Sequence, residues 1–355
     1  MDALITVLPG DGVGPEVTAE AKRVLEAVAR RFGHRFDFRE APIGGAAVGA
    51  CGDPLPSETL HVCRDSRAVL LGAVGGPAWD ALPVEKRPEQ GLLRLRRELG
   101  LWANVRPVRA HPSLLRHSPL RPEVLRGVDL VVVRELTGGI YFGEKREGTE
   151  AASDICAYTA QEVERVARFA CRLAMSRRRR LASIDKANVL ATSRLWRATV
   201  ARVAGEFPGL EVEHLLVDSA AMQLVQRPGR FDVIVTENMF GDILSDEASV
   251  LAGSLGMLPS ASIGSGGPGL FEPVHGSAPD IAGRGIANPV GAILSAAMLL
   301  ELGLGLREES RLVRAAVERS LRSGPCTPDL SPHGRGATTA AVGDLIVRHI
   351  VDRRP

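Results

Sequence analysis

At 355 residues, with 45% hydrophobic and 24% charged residues, the chain has the composition of a globular protein long enough for about two domains. A formal net charge of +2 gives no reason to expect nucleic acid or an anionic membrane as a partner. The five cysteines are scattered and never spaced CxxC, which argues against a disulfide framework or thiolate zinc site and for a reducing cytoplasm.

The first element predicted is the strand LITVL (4–8). Five apolar residues after Asp2 are too few for a signal peptide, and no apolar run approaches the roughly 20 residues of a membrane span. The turn Gly10-Asp-Gly-Val-Gly14 follows, then a helix over 14–32 with Val17, Ala21, Val24, Leu25 and Val28 on one face. A dinucleotide-binding fingerprint needs a third glycine at position 15, where this chain has Pro15, so the turn reads as a tight strand-to-helix connection. Further strands are predicted at 36–40, 68–74, 128–136, 180–185, 211–218 and 231–238. Helical periodicity covers roughly 91–99, 160–178, 192–205, 219–227, 241–255, 288–303, 308–323 and 337–352. Strand–helix alternation predicts an α/β fold with a largely parallel sheet. The run SRRRR (176–180) ends a helix, where cations complement the dipole, and lacks the interleaved aromatics of a nucleic-acid surface.

Chemistry concentrates in a few segments. In TENMFGDILSDEAS, Asp242 and Asp246 are four apart on a predicted helix, so both carboxylates share one face. Compensation of the helix dipole accounts for Asp242 but not for Asp246. Oxygen ligands alone suit a hard cation such as Mg²⁺ or Mn²⁺, and Asp218, at the predicted end of a strand, is the natural third ligand. Arg96, Arg106 and Arg134 could fork onto a dicarboxylate, although arginines are abundant enough for chance placement. Tyr141, one of only two tyrosines, reads either as a general acid or as an interface tyrosine. Lys186, one of four lysines, reads either as a general base or as half of a salt bridge. In FEPVHGSAPDIAGRGIANP, His275, Asp280 and Asn288 stand among glycines; Asp280 could accept from ribose hydroxyls, or the segment is a surface loop.

Together these segments resemble the isocitrate/isopropylmalate dehydrogenase family of β-hydroxyacid oxidative decarboxylases. LPGDGVGPEV, LLGAVGGPAWD, GLLRLRRELGLWANVRP, VRELTGGIYFGE, DKANVL, VDSAAMQLV, FGDILSDEAS and EPVHGSAPDIAGRGIANP occur in the family's order across essentially the whole chain. Ala78, Trp102 and Glu237 depart from the family's usual residues. The resemblance implies a two-domain α/β fold, a largely parallel twisted sheet flanked by helices and not a standard Rossmann fold. One domain would combine 1–101 with 254–355 and the other would span 102–253, with an arm around 136–157 across a homodimer. It implies NAD and Mg²⁺ or Mn²⁺ as cofactors, with Asp242, Asp246 and a second subunit's Asp218 as metal ligands. Arg96, Arg106 and Arg134 would bind substrate carboxylates. Lys186, also from the second subunit, would be the base and Tyr141 would assist protonation of the enol. Gly76, Glu89, His275, Gly276, Ala278, Asp280, Ile281 and Asn288 would bind NAD, with Val13 a weak contact. Leu92, Leu93 and Val189 would form an apolar pocket, which implies oxidative decarboxylation of a malate with a 3-isopropyl group. The alternative is another 3-substituted malate, such as homoisocitrate or tartrate.

Overall fold

A computed structural model describes residues 1–331 and 334–352. The chain divides into unit 1, Met1–Leu101 with Ser254–Pro355, and unit 2, Trp102–Gly253. In chain order, unit 1 begins with β1 (Asp2–Gly10), α1 (Gly14–Phe32), β2 (Arg35–Glu40), α2 (Gly45–Cys51), α3 (Ser57–Asp65), β3 (Ala68–Ala73) and α4 (Pro88–Glu98). Next come β4 (Leu101–Arg109), α5 (Pro122–Leu125), β5 (Asp129–Glu135), β6 (Lys145–Arg146), β7 (Ser153–Asp154), α6 (Ala160–Met175), β8 (Arg180–Asp185) and α7 (Ala191–Ala204). Unit 2 ends with β9 (Glu211–Leu216), α8 (Val217–Gln226), β10 (Val233–Thr236) and α9 (Asn238–Ser249). Unit 1 is completed by β11 (Pro259–Gly264), β12 (Gly269–Pro273), α10 (Val290–Met298), α11 (Arg307–Ser323) and α12 (Thr339–Val351).

In unit 1 the strands run β2-β1-β3-β12-β11, all parallel except β11, which is antiparallel to β12. The fully buried β3, AVLLGA, explains why its hydrophobicity does not alternate: helices cover both faces of a parallel sheet. Helix α1 turns Val17, Ala21, Val24, Leu25 and Val28 entirely into the core, against α10 and α12. Its end is set by Gly33 in the left-handed conformation.

In unit 2 the order is β4-β5-β10-β8-β9, with only β4 antiparallel to its neighbour. The register places Arg134 of β5 opposite Thr236 of β10 on one side and Asn104 of β4 on the other. Arg134, Thr236 and Asp185 therefore stand near the carboxyl ends of adjacent parallel strands, where α/β sheets bind ligands. The α/β class with a largely parallel sheet flanked by helices is as expected. The run at 176–180 has a further use: Arg177 Nε and the Arg178 N–H both donate to the buried Asp232, each at 2.8 Å, and Arg177 Nη2 donates to Asp129 Oδ1 at 2.8 Å.

Two elements sit differently from expectation around functional residues. The strand predicted over 211–218 stops at Leu216, and Asp218 is the second residue of α8. The apolar alternation of EVEHLLVD simply continues into the first turn of that helix. The helix expected from 241 starts at Asn238, so Asp242 stands beyond its first turn, where dipole compensation has faded. No helix of the described residues is long and apolar enough to cross a membrane.

Candidate active site

The centre of unit 2's site is the row Asn238, Asp242, Asp246 along α9, one turn apart. Arg134 lies across the first turn of this helix. Gly241 permits that approach: a Cβ there would stand 2.7 Å from Arg134 Cγ. Arg134 Nε donates to Asn238 Oδ1 at 2.8 Å, and Nη1 pairs with Asp242 Oδ1. Tyr141 donates its hydroxyl to Asp242 Oδ2 at 2.8 Å, and the Arg134 guanidinium carbon lies 5.4 Å from the Tyr141 ring centre. Arg106 Nη1 donates to Asp246 Oδ1 at 2.9 Å and to Ser245 Oγ at 2.7 Å, while its Nε donates to Asn104 Oδ1 at 2.8 Å.

These contacts set the charges. Burial disfavours the Asp242 anion, but Arg134, the Tyr141 hydroxyl and Arg106 outweigh it and hold the carboxyl below its ordinary range. Burial raises Asp246, with Asp242 adding to the rise and Arg106 opposing it. Burial, then the hydrogen bond and charge of Asp242, push the Tyr141 phenol up to about 12, so it keeps its proton at neutral pH. Arg106 and Arg134 are buried cations whose forks are aimed at carboxylates, as anion recognition requires.

Lys186 and Asp218 form a separate pair, with Nζ donating to Oδ1 at 2.6 Å. Lys186 follows the fully buried Asp185, whose oxygens receive Arg197 Nε and Nη2 at 2.8 Å each and the Ala187 N–H at 2.9 Å. Asp218 is exposed; its hydrogen bond from Lys186 lowers its carboxyl. Val189, one turn past Lys186, is 62% exposed. Among the described residues no three His, Cys, Asp or Glu side chains gather closely enough to hold a metal ion. Asp242 and Asp246 supply oxygen donors suited to a hard cation, and among the described residues no third joins them.

Unit 1 carries the remaining expected residues. Arg96 on α4 is buried and donates through Nη2 to Glu272 Oε1 on β12 at 2.7 Å. Its Nε is buried and has no hydrogen-bond partner among the described residues. The Arg96 fork expected to bind a substrate carboxylate is thus half engaged by Glu272. Leu92 and Leu93 are half-buried on the same helix.

The β1–α1 turn docks on the loop after β12. Gly12 has φ +59°, and a Cβ there would lie 1.9 Å from Ser277 O. The Val13 N–H donates to Ser277 O at 2.8 Å, and the Gly283 N–H donates to Glu16 Oε1 at 2.6 Å. Asp11, which the sequence reading left out, fixes this corner: its carboxylate accepts from the Gly45, Ala46 and Gly75 N–H groups at 2.8, 2.7 and 2.8 Å. An acid flanked by glycines at a strand end was the available signal. Ala278 holds the left-handed conformation at φ 40°, a strained placement for a non-glycine residue. Burial lowers the His275 pKa, leaving a neutral ring whose Nε2 has no partner.

Gly76, Gly276, Asp280 and Ile281 lie exposed or half-buried, and exposed Glu89 sets Oε1 against Gly75. The Val13 side chain is buried and its N–H donates to Ser277 O at 2.8 Å. The buried Asn288 amide receives the Val290 N–H at 3.0 Å and donates to Asp329 at 3.0 Å. An unsatisfied buried imidazole nitrogen, a strained loop and an open carboxylate at Asp280 fit an adenosine-bearing dinucleotide.

The sequence pattern described as isocitrate/isopropylmalate dehydrogenase matches residues 4–346. The chain is 57% identical over 355 residues to the 3-isopropylmalate dehydrogenase of Anaeromyxobacter dehalogenans, covering 99% of this chain and 100% of that one. It is 55% identical over 356 residues to the 3-isopropylmalate dehydrogenase of Halalkalibacterium halodurans, covering 99% and 98%. Among solved structures, the isocitrate dehydrogenase of Methylococcus capsulatus superposes with a TM-score of 0.87 at 36% identity, covering 98% and 99%. With buried arginines, paired carboxylates and a proton-holding tyrosine on this framework, the chain belongs to the isocitrate/isopropylmalate dehydrogenase family.

Proposed function

We propose that this chain oxidises and decarboxylates (2R,3S)-3-isopropylmalate with NAD, yielding 4-methyl-2-oxopentanoate and CO₂, a step of leucine biosynthesis. The observation that carries the reading is the α9 cluster, in which two buried arginines and a phenol converge on Asp242 and Asp246. It is supported by relatives at 55–57% identity named for that activity.

Arg106 and Arg134 bind the malate carboxylates, exchanging part of their hold on Asp246 and Asp242, and Arg96 of unit 1 contributes its unsatisfied Nε. Asp242 and Asp246, with Asp218 of a second copy, would hold Mg²⁺ or Mn²⁺, which would supply Lewis-acid stabilisation of the developing negative charge. Lys186 of the second copy takes the hydroxyl proton, directly or through water, as hydride leaves C2. NAD would supply the hydride acceptor for this step. The 2-oxo acid then loses CO₂ from its β-carboxylate. Tyr141 assists return of a proton to the enol, consistent with a phenol that stays protonated at neutral pH. Leu92, Leu93 and Val189 receive the isopropyl group, where burying a carboxylate would cost several kcal/mol, roughly.

Unit 1 is the cofactor-side domain, and Gly76, Glu89, His275, Gly276, Ala278, Asp280, Ile281 and Asn288 line the dinucleotide, with Val13 a weak contact. The Asp280 charge disfavours a 2′-phosphate and so favours NAD over NADP. Unit 2 is the homodimer domain, with the segment 136–157 as an arm across it. The free state of all five cysteines fits the cytoplasm. The test is NAD reduction with 3-isopropylmalate, isocitrate, homoisocitrate and tartrate, with and without Mg²⁺ or Mn²⁺. Metal-dependent turnover fastest with 3-isopropylmalate is expected; equal or faster turnover of isocitrate would refute the assignment of the apolar pocket.

A further inference from the structure

Asn238 has none of the roles above, yet it touches Arg134, which has one. It is the first residue of α9, and its side chain is fully buried. Its carboxamide is used on both arms. Oδ1 accepts from Arg134 Nε at 2.8 Å, and Nδ2 donates to Gly138 O at 3.0 Å. The Asn238 N–H donates to the Tyr158 hydroxyl oxygen at 2.9 Å, and buried Tyr158 stacks edge-on against fully buried Trp196 at 5.9 Å. Gly138 leads into the short 3-10 turn Gly139–Tyr141, at whose end Tyr141 meets Asp242. Arg134 reaches Asp242 from the other side, one helical turn beyond Asn238.

A carboxamide accepts on one arm and donates on the other, which a carboxylate or an ammonium does not. It therefore joins a guanidinium donor to a carbonyl acceptor without introducing charge beside Asp242. We propose that Asn238 is a positioning residue: its amide ties the Arg134 guanidinium to the Gly138–Tyr141 turn, so that the carboxylate-binding arm and the phenol meet Asp242 in one fixed arrangement. The kinetic form of this statement rests on the function proposed above, through the roles of Arg134 and Tyr141. Misplacing such groups by about 1 Å costs on the order of a hundredfold in rate, which makes a small buried tether consequential.

The test is Asn238→Ala in the full-length enzyme, read by steady-state kinetics and by hydrogen–deuterium exchange. KM for 3-isopropylmalate is expected to rise about tenfold and kcat to fall about tenfold, with KM for NAD within about twofold of wild type. In an Arg134→Lys background, which lacks the Nε that the amide holds, the same change should raise the substrate KM by less than about twofold more. Exchange should increase in peptides covering 134–143 and not throughout unit 2. Equal movement of both KM values, additive losses in the double variant, or exchange raised uniformly would overturn the proposal.

Should Asn238→Ala fail to fold, Asn238→Asp separates the arms. It keeps an oxygen facing Arg134 and loses the donor to Gly138, so kcat should fall while the substrate KM stays within about threefold; the reverse pattern would overturn the proposal. The exchange measurement needs no substrate and decides the tether by itself. A wild-type enzyme inactive on 3-isopropylmalate would count against the proposed function alone.

Discussion

Glu237 stands at the N-cap of α9, 5% exposed, with Oε1 accepting from Ser193 Oγ at 3.2 Å. Burial, helped by the charge of Asp185 and opposed by Ser193, pushes its carboxyl up to about 7. A folded pKa raised above the ordinary 4.5 means that the folded protein holds this proton more tightly than the unfolded chain. The associated stability is therefore complete below about 4.5, declines as pH rises, and is lost above about 7. Glu237→Gln should then match wild type near pH 4.5 and exceed it by roughly 1–3 kcal/mol at pH 8. Chemical denaturation at the two pH values checks this; a pH-independent difference would refute the assignment. At this scale the sequence revealed residue types better than their partners. The i, i+4 spacing of Asp242 and Asp246 was readable because it is local geometry. Asp11 and Asn238 were not, since their hydrogen bonds close over separations of 34 to 104 residues. Nor could Glu272 be foreseen as the partner of Arg96, 176 residues away.

Among the elements, helices with a clean apolar face were legible, α1 above all. Strands β4, β11 and β12 were not. The sequence LWANVRPVR of β4 carries Asn, Arg and Pro because Asn104 and Arg106 turn toward the site, where each finds a polar partner. PSASIG of β11 is built of small residues whose strand state comes from pairing with β12 rather than propensity. Helix α2 begins at Gly45, a weak helix former, because Asp11 collects the N–H groups of its first residues. The turn from β1 to α1 likewise draws its shape from the loop it meets. Gly12→Ala forces a Cβ into the Ser277 carbonyl and a side chain into left-handed backbone, with a cost of roughly 1–3 kcal/mol. The displaced 276–281 loop should raise KM for NAD about tenfold with kcat nearly unchanged. An unaltered KM for NAD would remove that loop from the cofactor site.

For the molecule as a whole, the telling surface is the one left apolar. On α8 and α9, which pack on each other, Met222 is 58% and Ile243 60% exposed, with Val225 and, just past the end of α9, Val250 also exposed. Large apolar side chains contribute roughly 1.5–3 kcal/mol each when removed from water, and in the proposed homodimer this face would meet a second copy. Met222→Arg with Val225→Arg should convert a sedimenting dimer to monomer and reduce turnover about a hundredfold or more, while the monomer stays folded by circular dichroism. A fully active monomer would refute the shared site.

The Lys186–Asp218 pair sits apart from the α9 carboxylates within one chain. Shared between copies, such a site makes catalytic capacity a function of encounter. Near the dissociation constant, halving the concentration of chains removes more than half of the working sites. Specific activity would thus climb with enzyme concentration until every Lys186–Asp218 pair has met the α9 of another copy.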